Sequence, residues 1–197
     1  MPPADHSIRA FLRGATADEH SALDRLIRPL FLEGEPGYVR FLQAAAAAVV
    51  PLEKAAIAAR VEKVLPDWAL RSRTAALMLD LAEFGMTVPS AGQTIAIDDE
   101  AFLFGILYVL EGSRLGARSL VAELAAHPSA KARKANHYLS HGAGRRLWPS
   151  FLRCLETSKA VQRAPNRTVA GAKTAFAVFA EAQSRAGQPF PCGSIDA

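Results

Sequence analysis

The sequence predicts an all-α protein that folds as a single-domain helical bundle. Ala, Leu, Arg and Glu, which favour helices, fill most segments, whereas Pro and Gly occur mainly between them. Within the segments, apolar residues recur at spacings of three and four, which is the spacing of one buried helix face. The chain has neither the alternating pattern of a β-strand nor an internal repeat. Because half of the 197 residues are hydrophobic, one domain can bury a sizeable core.

Three helices are predicted in the first part of the chain. Pro29 and Gly34 mark a break within residues 29–36, and Pro51 marks a kink or a boundary. Asp67 has a side chain that suits the N-cap of the third helix. The predicted helices cover residues 8–30, 37–63 and 67–84.

Four further helices follow a loop that is predicted over residues 85–98. Asp98 or Asp99 is expected to cap the first of them, a long apolar helix. Ser129 and Asn166 are expected to cap the second and the last. The predicted helices cover residues 102–124, 129–139, 145–155 and 166–185, with glycine breaks at 142 and 144, and residues 187–197 are predicted to form a disordered tail outside a domain of residues 1–186.

The composition argues against several classes of protein. The net charge of +4 is modest, and no helix-turn-helix pattern, zinc spacing or aromatic RNA-binding surface occurs, so nucleic acid is not an expected partner. No uninterrupted apolar run reaches the roughly 18 residues of a membrane span, and the first residues lack the apolar core of a secretory signal. Cys154 and Cys192 have no metal-type spacing and suit a reducing compartment. We therefore expect a cytoplasmic protein that does not bind a membrane.

Residues 12–24, with the sequence LRGATADEHSALD, contain the first candidate binding group, His20. A neutral imidazole among alanines and leucines can ligate iron. Asp24 lies one turn later and can accept a hydrogen bond from the other ring nitrogen, while Arg13 lies two turns earlier and can pair with a carboxylate beside the metal. A single histidine in a helix is more often a surface residue or a satisfied core residue, so this segment alone does not assign a function.

Residues 104–117, with the sequence FGILYVLEGSRLGA, carry three glycines inside one strongly predicted helix. Each such glycine costs about 1 kcal/mol relative to alanine, and Gly112–Ser113 is the kind of pair at which helices bend. Tight packing between helices is one explanation for Gly105, Gly112 and Gly116. The other is that the helix lies across the face of a flat cofactor.

Phe176 and Phe179 lie one turn apart in the last predicted helix, within AKTAFAVF. Two aromatic rings at this spacing can wall a pocket. They are more often an aromatic stripe of the core, so this segment too leaves both interpretations open.

Together, the three segments resemble the heme oxygenases. LRGATADEHSALD is similar to the first-helix pattern of that family, whose histidine is the proximal heme ligand. YVLEGSRLGARSL resembles the distal helix of the bacterial branch, in which glycines let the backbone approach the porphyrin. AKTAF resembles a stretch of the family's last helix whose phenylalanine touches heme. The three matches occur in the family's order and at its approximate spacing.

The resemblance implies a role for each matching residue. His20 would be the proximal iron ligand, with Asp24 as its hydrogen-bonding partner. Gly112 and Gly116 would form the distal kink, and Ser113 stands where mammalian-type enzymes carry an aspartate that organises distal water. Other heme contacts are expected from Arg13, Phe176, Ala117 in place of a second glycine, and Arg145 or Arg146 near a second propionate.

The function implied by the resemblance is that of a heme oxygenase. Such an enzyme cleaves protoheme to biliverdin, carbon monoxide and ferrous iron, using O2 and electrons from an external donor. An acidic ferredoxin or a flavoprotein reductase would suit the positive charge. Two alternatives stay open: a non-catalytic heme carrier or sensor, which needs His20 but no distal water network, and a helical interaction module that binds an acidic protein without heme.

Overall fold

The computed structural model describes residues 7–88 and 94–186, so the tail predicted at 187–197 lies outside the described residues. Within these two ranges the chain forms α-helices and 3₁₀ turns and no strand, which confirms the all-α prediction. The helices are α1 Ile8–Ala15, α2 Ala17–Leu32, α3 Gly34–Ala58, α4 Thr74–Ala82, α5 Glu100–Ala125, α6 Ala130–Lys134, α7 His137–Ser140, α8 Leu147–Thr157, α9 Lys159–Arg163 and α10 Pro165–Ala186, and the 3₁₀ turns are Val61–Lys63 and Trp68–Leu70.

α10 is the central packing partner of the bundle. It lies along α5 and also packs against α3 and α2. Two glycines permit the close approach to α5, because a Cβ added at Gly105 would lie 2.0 Å from the carbonyl oxygen of Thr168, and one added at Gly171 would lie 2.1 Å from that of Phe102. The helix-packing explanation therefore holds for Gly105.

We expect Gly105→Ala to lower the free energy of unfolding by about 2 kcal/mol or more, because α5 and α10 must move apart to admit a methyl group. Urea denaturation should show a lower midpoint with an unchanged m-value. Gly14→Ala is the matched control, since nothing lies within 4 Å of a Cβ added there, and it should be neutral or slightly stabilising. Equal stability of Gly105→Ala and the wild-type protein would contradict the close packing of these two helices.

α3 is long and apolar enough to cross a membrane by length and composition alone, with a mean hydropathy of 1.4 over its most apolar window. However, 67% of that window is buried inside the bundle. Pro51 is among its buried residues and does not end the helix. Burial on this scale is typical of the core helix of a globular domain.

The first predicted helix is divided, and Pro29 does not end it. Thr16 separates α1 from α2, since its backbone leaves the helical region (φ −122°, ψ 15°) and its hydroxyl donates back to the preceding turn. Pro29 lies inside α2, and the chain turns instead at Gly34, whose φ of +69° suits glycine. His20 consequently lies near the start of α2 rather than in mid-helix, and spacing along one helix no longer relates it to Arg13.

The α-helix predicted over residues 67–84 begins only at Thr74. Asp67 does not cap it, because the Asp67 carboxylate pairs with Arg71 at 2.7 Å. Instead Glu53 of α3 caps α4, accepting the Thr74 N–H at 3.2 Å and the Thr74 hydroxyl at 2.7 Å. A cap that comes from another helix leaves no pattern in the local sequence.

Three further predicted caps can be compared with the structure. Asp99 caps α5 and Ser129 caps α6, each accepting a backbone N–H of the first turn, and these two predictions are confirmed. Asn166 is not a cap, because α10 already begins at Pro165, a position where the missing proline N–H costs nothing. The short helix predicted to start at Ser129 divides into α6 and α7.

Candidate functional site

His20, Asp24 and Phe176 come together near the start of α2. Nδ1 of His20 lies 3.1 Å from Oδ2 of Asp24, one turn later on the same helix. The imidazole ring meets the ring of Phe176 from α10 edge to face, with centroids 6.0 Å apart and planes at 65°. Because Asp24 occupies Nδ1, the other ring nitrogen is left to bind an external group.

The His20 ring is open to solvent rather than enclosed in the core. Its side chain is 66% exposed, whereas Phe176 behind it is only 6% exposed. The sequence predicts an apolar setting for this imidazole. In the structure the ring is exposed, with the predicted carboxylate of Asp24 on one side and the ring of Phe176 on another. The imidazole is therefore accessible to an external ligand, and its exposure equally fits the surface-residue interpretation given above.

An ion pair holds the start of α2 against α10. Nζ of Lys173 lies 2.7 Å from Oε1 of Glu19, the residue before His20. The hydrogen bond from Lys173 lowers the pKa of the Glu19 carboxyl. The pair is partly exposed and adds little to stability, but it helps to fix the position of His20 relative to Phe176.

α5 offers an open stretch of backbone at the predicted distal glycines. It stays continuously helical through Gly112 and Gly116, so no interruption marks the predicted kink. Among the described residues, a Cβ added at Gly116 would meet nothing within 4 Å, and one added at Gly112 would meet only the ring of Trp148, at 3.6 Å. Unlike Gly105, these two glycines are not required by contacts between helices.

Ser113 and Ala117 are engaged with the protein itself. The Ser113 hydroxyl donates to the carbonyl oxygen of Leu110 and accepts from Nη2 of Arg73, both at 2.9 Å. It can still accept a hydrogen bond from a water molecule but has no proton left to donate. Ala117 is buried, and its methyl group packs in the hydrophobic core.

The predicted propionate-binding arginines lie on two different elements. Arg13 of α1 is exposed, as are Arg145 and Arg146 just before α8. Burial raises the pKa of the Tyr108 hydroxyl on α5, and the charges of Arg9 and Arg13 oppose that rise. The charge of Arg13 therefore acts on Tyr108 of α5, even though helical spacing does not connect Arg13 with His20.

α2 and α5 each pack against α10 but make at most marginal contact with each other. The two predicted heme-binding helices thus share α10 as a supporting helix. Tyr108 lies on α5 one turn before Gly112, and its ring packs against Trp148 with centroids 5.8 Å apart. The sequence analysis did not identify Tyr108 or Trp148 as candidate site residues. The four-residue spacing of Tyr108 and Gly112 nevertheless places these two residues on one face of α5.

A buried ionic network includes Glu111, the residue before Gly112 on α5. The sequence analysis did not predict this network. Nη1 of Arg71 lies 2.7 Å from Oε2 of Glu111, and both side chains are almost fully buried. Arg71 also donates to the Leu147 carbonyl at 3.0 Å and to the Ser150 hydroxyl at 2.7 Å, which links α5 with α8. The available signal was a charged residue inside an apolar helix, because such a charge requires a buried partner.

Comparisons with known proteins agree on one family name. No protein-family model matches the chain. Over 126 residues it is 31% identical to heme oxygenase PigA of Pseudomonas aeruginosa, an alignment that covers 62% of this chain and 64% of that protein. Over 112 residues it is 32% identical to a heme oxygenase of Xanthomonas campestris pv. campestris, covering 57% of this chain and 67% of that one. The chain thus spans about two thirds of the length of these curated relatives.

The fold is similar to that of a solved structure. The NO- and CO-bound heme oxygenase from Neisseria meningitidis superposes with a TM-score of 0.77, covering 91% of this chain and 92% of that one. The sequences are 21% identical, so this likeness shows the fold alone.

Proposed function

Because the chain belongs to the heme oxygenase family, we propose that it cleaves protoheme to biliverdin, carbon monoxide and ferrous iron. One observation carries the proposal. His20 presents an accessible imidazole already oriented by Asp24, while Gly116 presents helix backbone against which no other part of the described chain packs. An exposed ligand and an uncovered backbone surface are what a flat, iron-containing molecule needs on its two faces.

In this proposal the porphyrin lies between α2 and α5, and each residue has a physical task. His20 holds the iron through its free nitrogen, and Asp24 fixes the tautomer and raises the basicity of the ring. Phe176 supports the imidazole from behind. The backbone at Gly116 would bound the space on the side of the iron opposite His20. Heme, when bound, supplies both the iron that activates oxygen and the carbon framework that is oxidised.

Basic residues would neutralise the two heme carboxylates. We assign one propionate to Arg13 of α1 and the other to Arg145 or Arg146, because all three are exposed and a guanidinium binds a carboxylate through two parallel hydrogen bonds. The net charge of +4 favours an acidic electron donor, either a ferredoxin or a flavoprotein reductase. We expect both O2 and this donor as partners, in the cytoplasm.

One observation favours a second candidate, a non-catalytic heme carrier or sensor. Ser113 stands at the position where mammalian-type enzymes organise distal water, and its only O–H is already donated to Leu110. A carrier would need His20 but no proton donor on the distal side. If the protein is instead an enzyme, its turnover must rely on a water molecule that is held by backbone groups or by the remaining acceptor site of the Ser113 hydroxyl.

Hemin titration followed by reduction under oxygen separates the two functions. We expect added hemin to give a Soret band, and ascorbate or a reductase to bleach that band while a bile pigment appears. A Soret band that persists through reduction would support the carrier. A Soret band identical to that of free hemin would overturn both proposals and favour the interaction module.

We expect Asp24→Ala to lower hemin affinity or turnover by about 10- to 100-fold, the usual effect of removing the partner of a metal-bound histidine. The fold should stay intact, because the side chain is largely exposed. Asp18→Ala is the matched control, since it removes the same charge from an exposed position of the same helix. If both variants bound hemin equally well, the assignment of Asp24 would be wrong.

A further inference from the structure

Arg114 joins α5 to the loop that precedes α8. Its side chain is 10% exposed, and the guanidinium donates to Oε1 of Glu111 from Nε at 3.2 Å and from Nη2 at 3.1 Å. Nη2 also donates to the carbonyl oxygen of Arg71. On the loop side, Nη1 lies 3.1 Å from Nδ1 of His141 and 3.4 Å from the His141 carbonyl oxygen. One side chain thus connects α5, the turn before α4 and the loop.

The loop held by Arg114 carries Arg145 and Arg146. It turns at Gly142 and Gly144, whose φ values of 75° and 76° confirm the predicted glycine break. A Cβ added at Gly142 would lie 3.6 Å from Nη1 of Arg114, so the loop backbone passes directly beside the guanidinium. The position of the two exposed arginines therefore depends on this contact.

The bond between Arg114 and His141 has a defined direction. A guanidinium carries only donors and stays charged, so Nδ1 of His141 must accept. Nδ1 can accept only while it carries no proton. A proton on that nitrogen would convert the hydrogen bond into a contact between two positive charges.

Several charged groups face His141 from the neighbouring elements. They are Arg114 and Glu111 on α5, Arg73 before α4 and Glu53 on α3. Partial burial lowers the pKa of the His141 imidazole, the charges of Arg114 and Arg73 lower it further, and the two carboxylates oppose this in part. The bond is therefore complete above the ordinary histidine pKa and is lost as pH falls through the lower value of the folded protein.

We propose that Arg114 is a positioning residue that holds the loop of Arg145 and Arg146 against α5 only while His141 is neutral. Acidification then releases the loop and with it both arginines. The significance for heme rests on the proposed function, since it requires that these arginines bind propionates. The loop release does not require heme, so it can be measured in the heme-free protein.

Hydrogen exchange of the heme-free protein tests the release, with rates normalised to the intrinsic rate at each pH. The amides of Ala143 and Arg145 report on it, because the first donates to the carbonyl of Ser140 at the end of α7 and the second to that of Gly142 in the loop. We expect their protection to fall by about tenfold as pH is lowered from above the ordinary histidine pKa through the lower pKa of His141 in the folded protein, as for the loss of one hydrogen bond to a charged group. His141→Asn keeps an acceptor at the place of Nδ1 but does not titrate, so its protection should not change with pH.

His137→Asn is the matched control. It removes a different titrating histidine that lies near the loop but does not contact Arg114. Nδ1 of His137 lies 2.7 Å from Asp80 and not against Arg114, so this variant should respond to pH as the wild-type protein does. Constant protection in the wild-type protein, or a tenfold fall in His141→Asn, would overturn the proposal.

Hemin transfer to apomyoglobin then tests the link to the proposed function. Acidification should accelerate hemin loss more in the wild-type protein than in His141→Asn. Equal acceleration in the two proteins would overturn the link to heme while leaving the measured loop release in place. Absence of any hemin binding would instead overturn the proposed function.

Discussion

Replacing His20 by alanine is expected to reduce biliverdin formation by more than about a hundredfold, because loss of even the hydrogen-bonding partner of such a ligand costs 10- to 100-fold. The variant removes the group assigned to hold iron from α2. Its fold should be preserved, since a side chain that is 66% exposed leaves no cavity behind. Pigment yield after ascorbate reduction measures the first effect, and urea denaturation measures the second.

The control for this variant is His137→Ala. His137 of α7 is also a partly exposed histidine paired with a carboxylate, that of Asp80, but it belongs to no proposed heme contact. We expect it to keep wild-type turnover. Wild-type heme spectra and turnover in His20→Ala would show that the iron ligand has been assigned wrongly.

Gly116→Leu is expected to change stability and activity in opposite directions. A Cβ at this position meets nothing within 4 Å, so the heme-free protein should accept leucine and gain up to about 1 kcal/mol of unfolding free energy from better helix propensity. The same side chain would occupy the space assigned to heme and oxygen. We therefore expect biliverdin formation to fall below detection while the urea midpoint stays equal or rises.

Ala122→Leu provides the matched control for Gly116→Leu. Ala122 is exposed on the same helix but six residues further on, which places it on a different side of α5. Its added bulk should leave turnover unchanged. An unchanged biliverdin yield in Gly116→Leu would mean that this part of α5 does not face heme.

The fold class could be predicted from sequence because helix propensity and apolar spacing are local properties. The caps at Asp99 and Ser129 were predictable for the same reason, since each bonds within its own first turn. The cap that Glu53 supplies to α4 was not, because its partner lies on another helix. Nor was the break at Thr16, where one residue departs from helical geometry inside an otherwise favourable sequence.

The candidate site shows the same division between local and distant contacts. The spacing of His20 and Asp24 predicts their contact, and the structure shows it. Gly105 and Gly116 are equivalent in sequence, and only the position of α10 distinguishes a glycine needed for packing from one that is uncovered. The contact of Phe176 with His20 joins two distant helices, so no spacing rule predicts it.

The buried pair of Arg71 and Glu111 illustrates a further limit of sequence reasoning. A charge in an apolar segment signals that a partner exists but does not identify it. Here the partner lies forty positions away, and the pair also fixes α8 against α5.

The absorption spectrum of hemin-loaded His20→Gly, recorded with and without added imidazole, tests the iron assignment most directly. We predict a displaced Soret band in the variant and a return to the wild-type spectrum when free imidazole enters the space left by the exposed side chain. A wild-type spectrum in the variant without imidazole would contradict the assignment of His20 as the iron ligand.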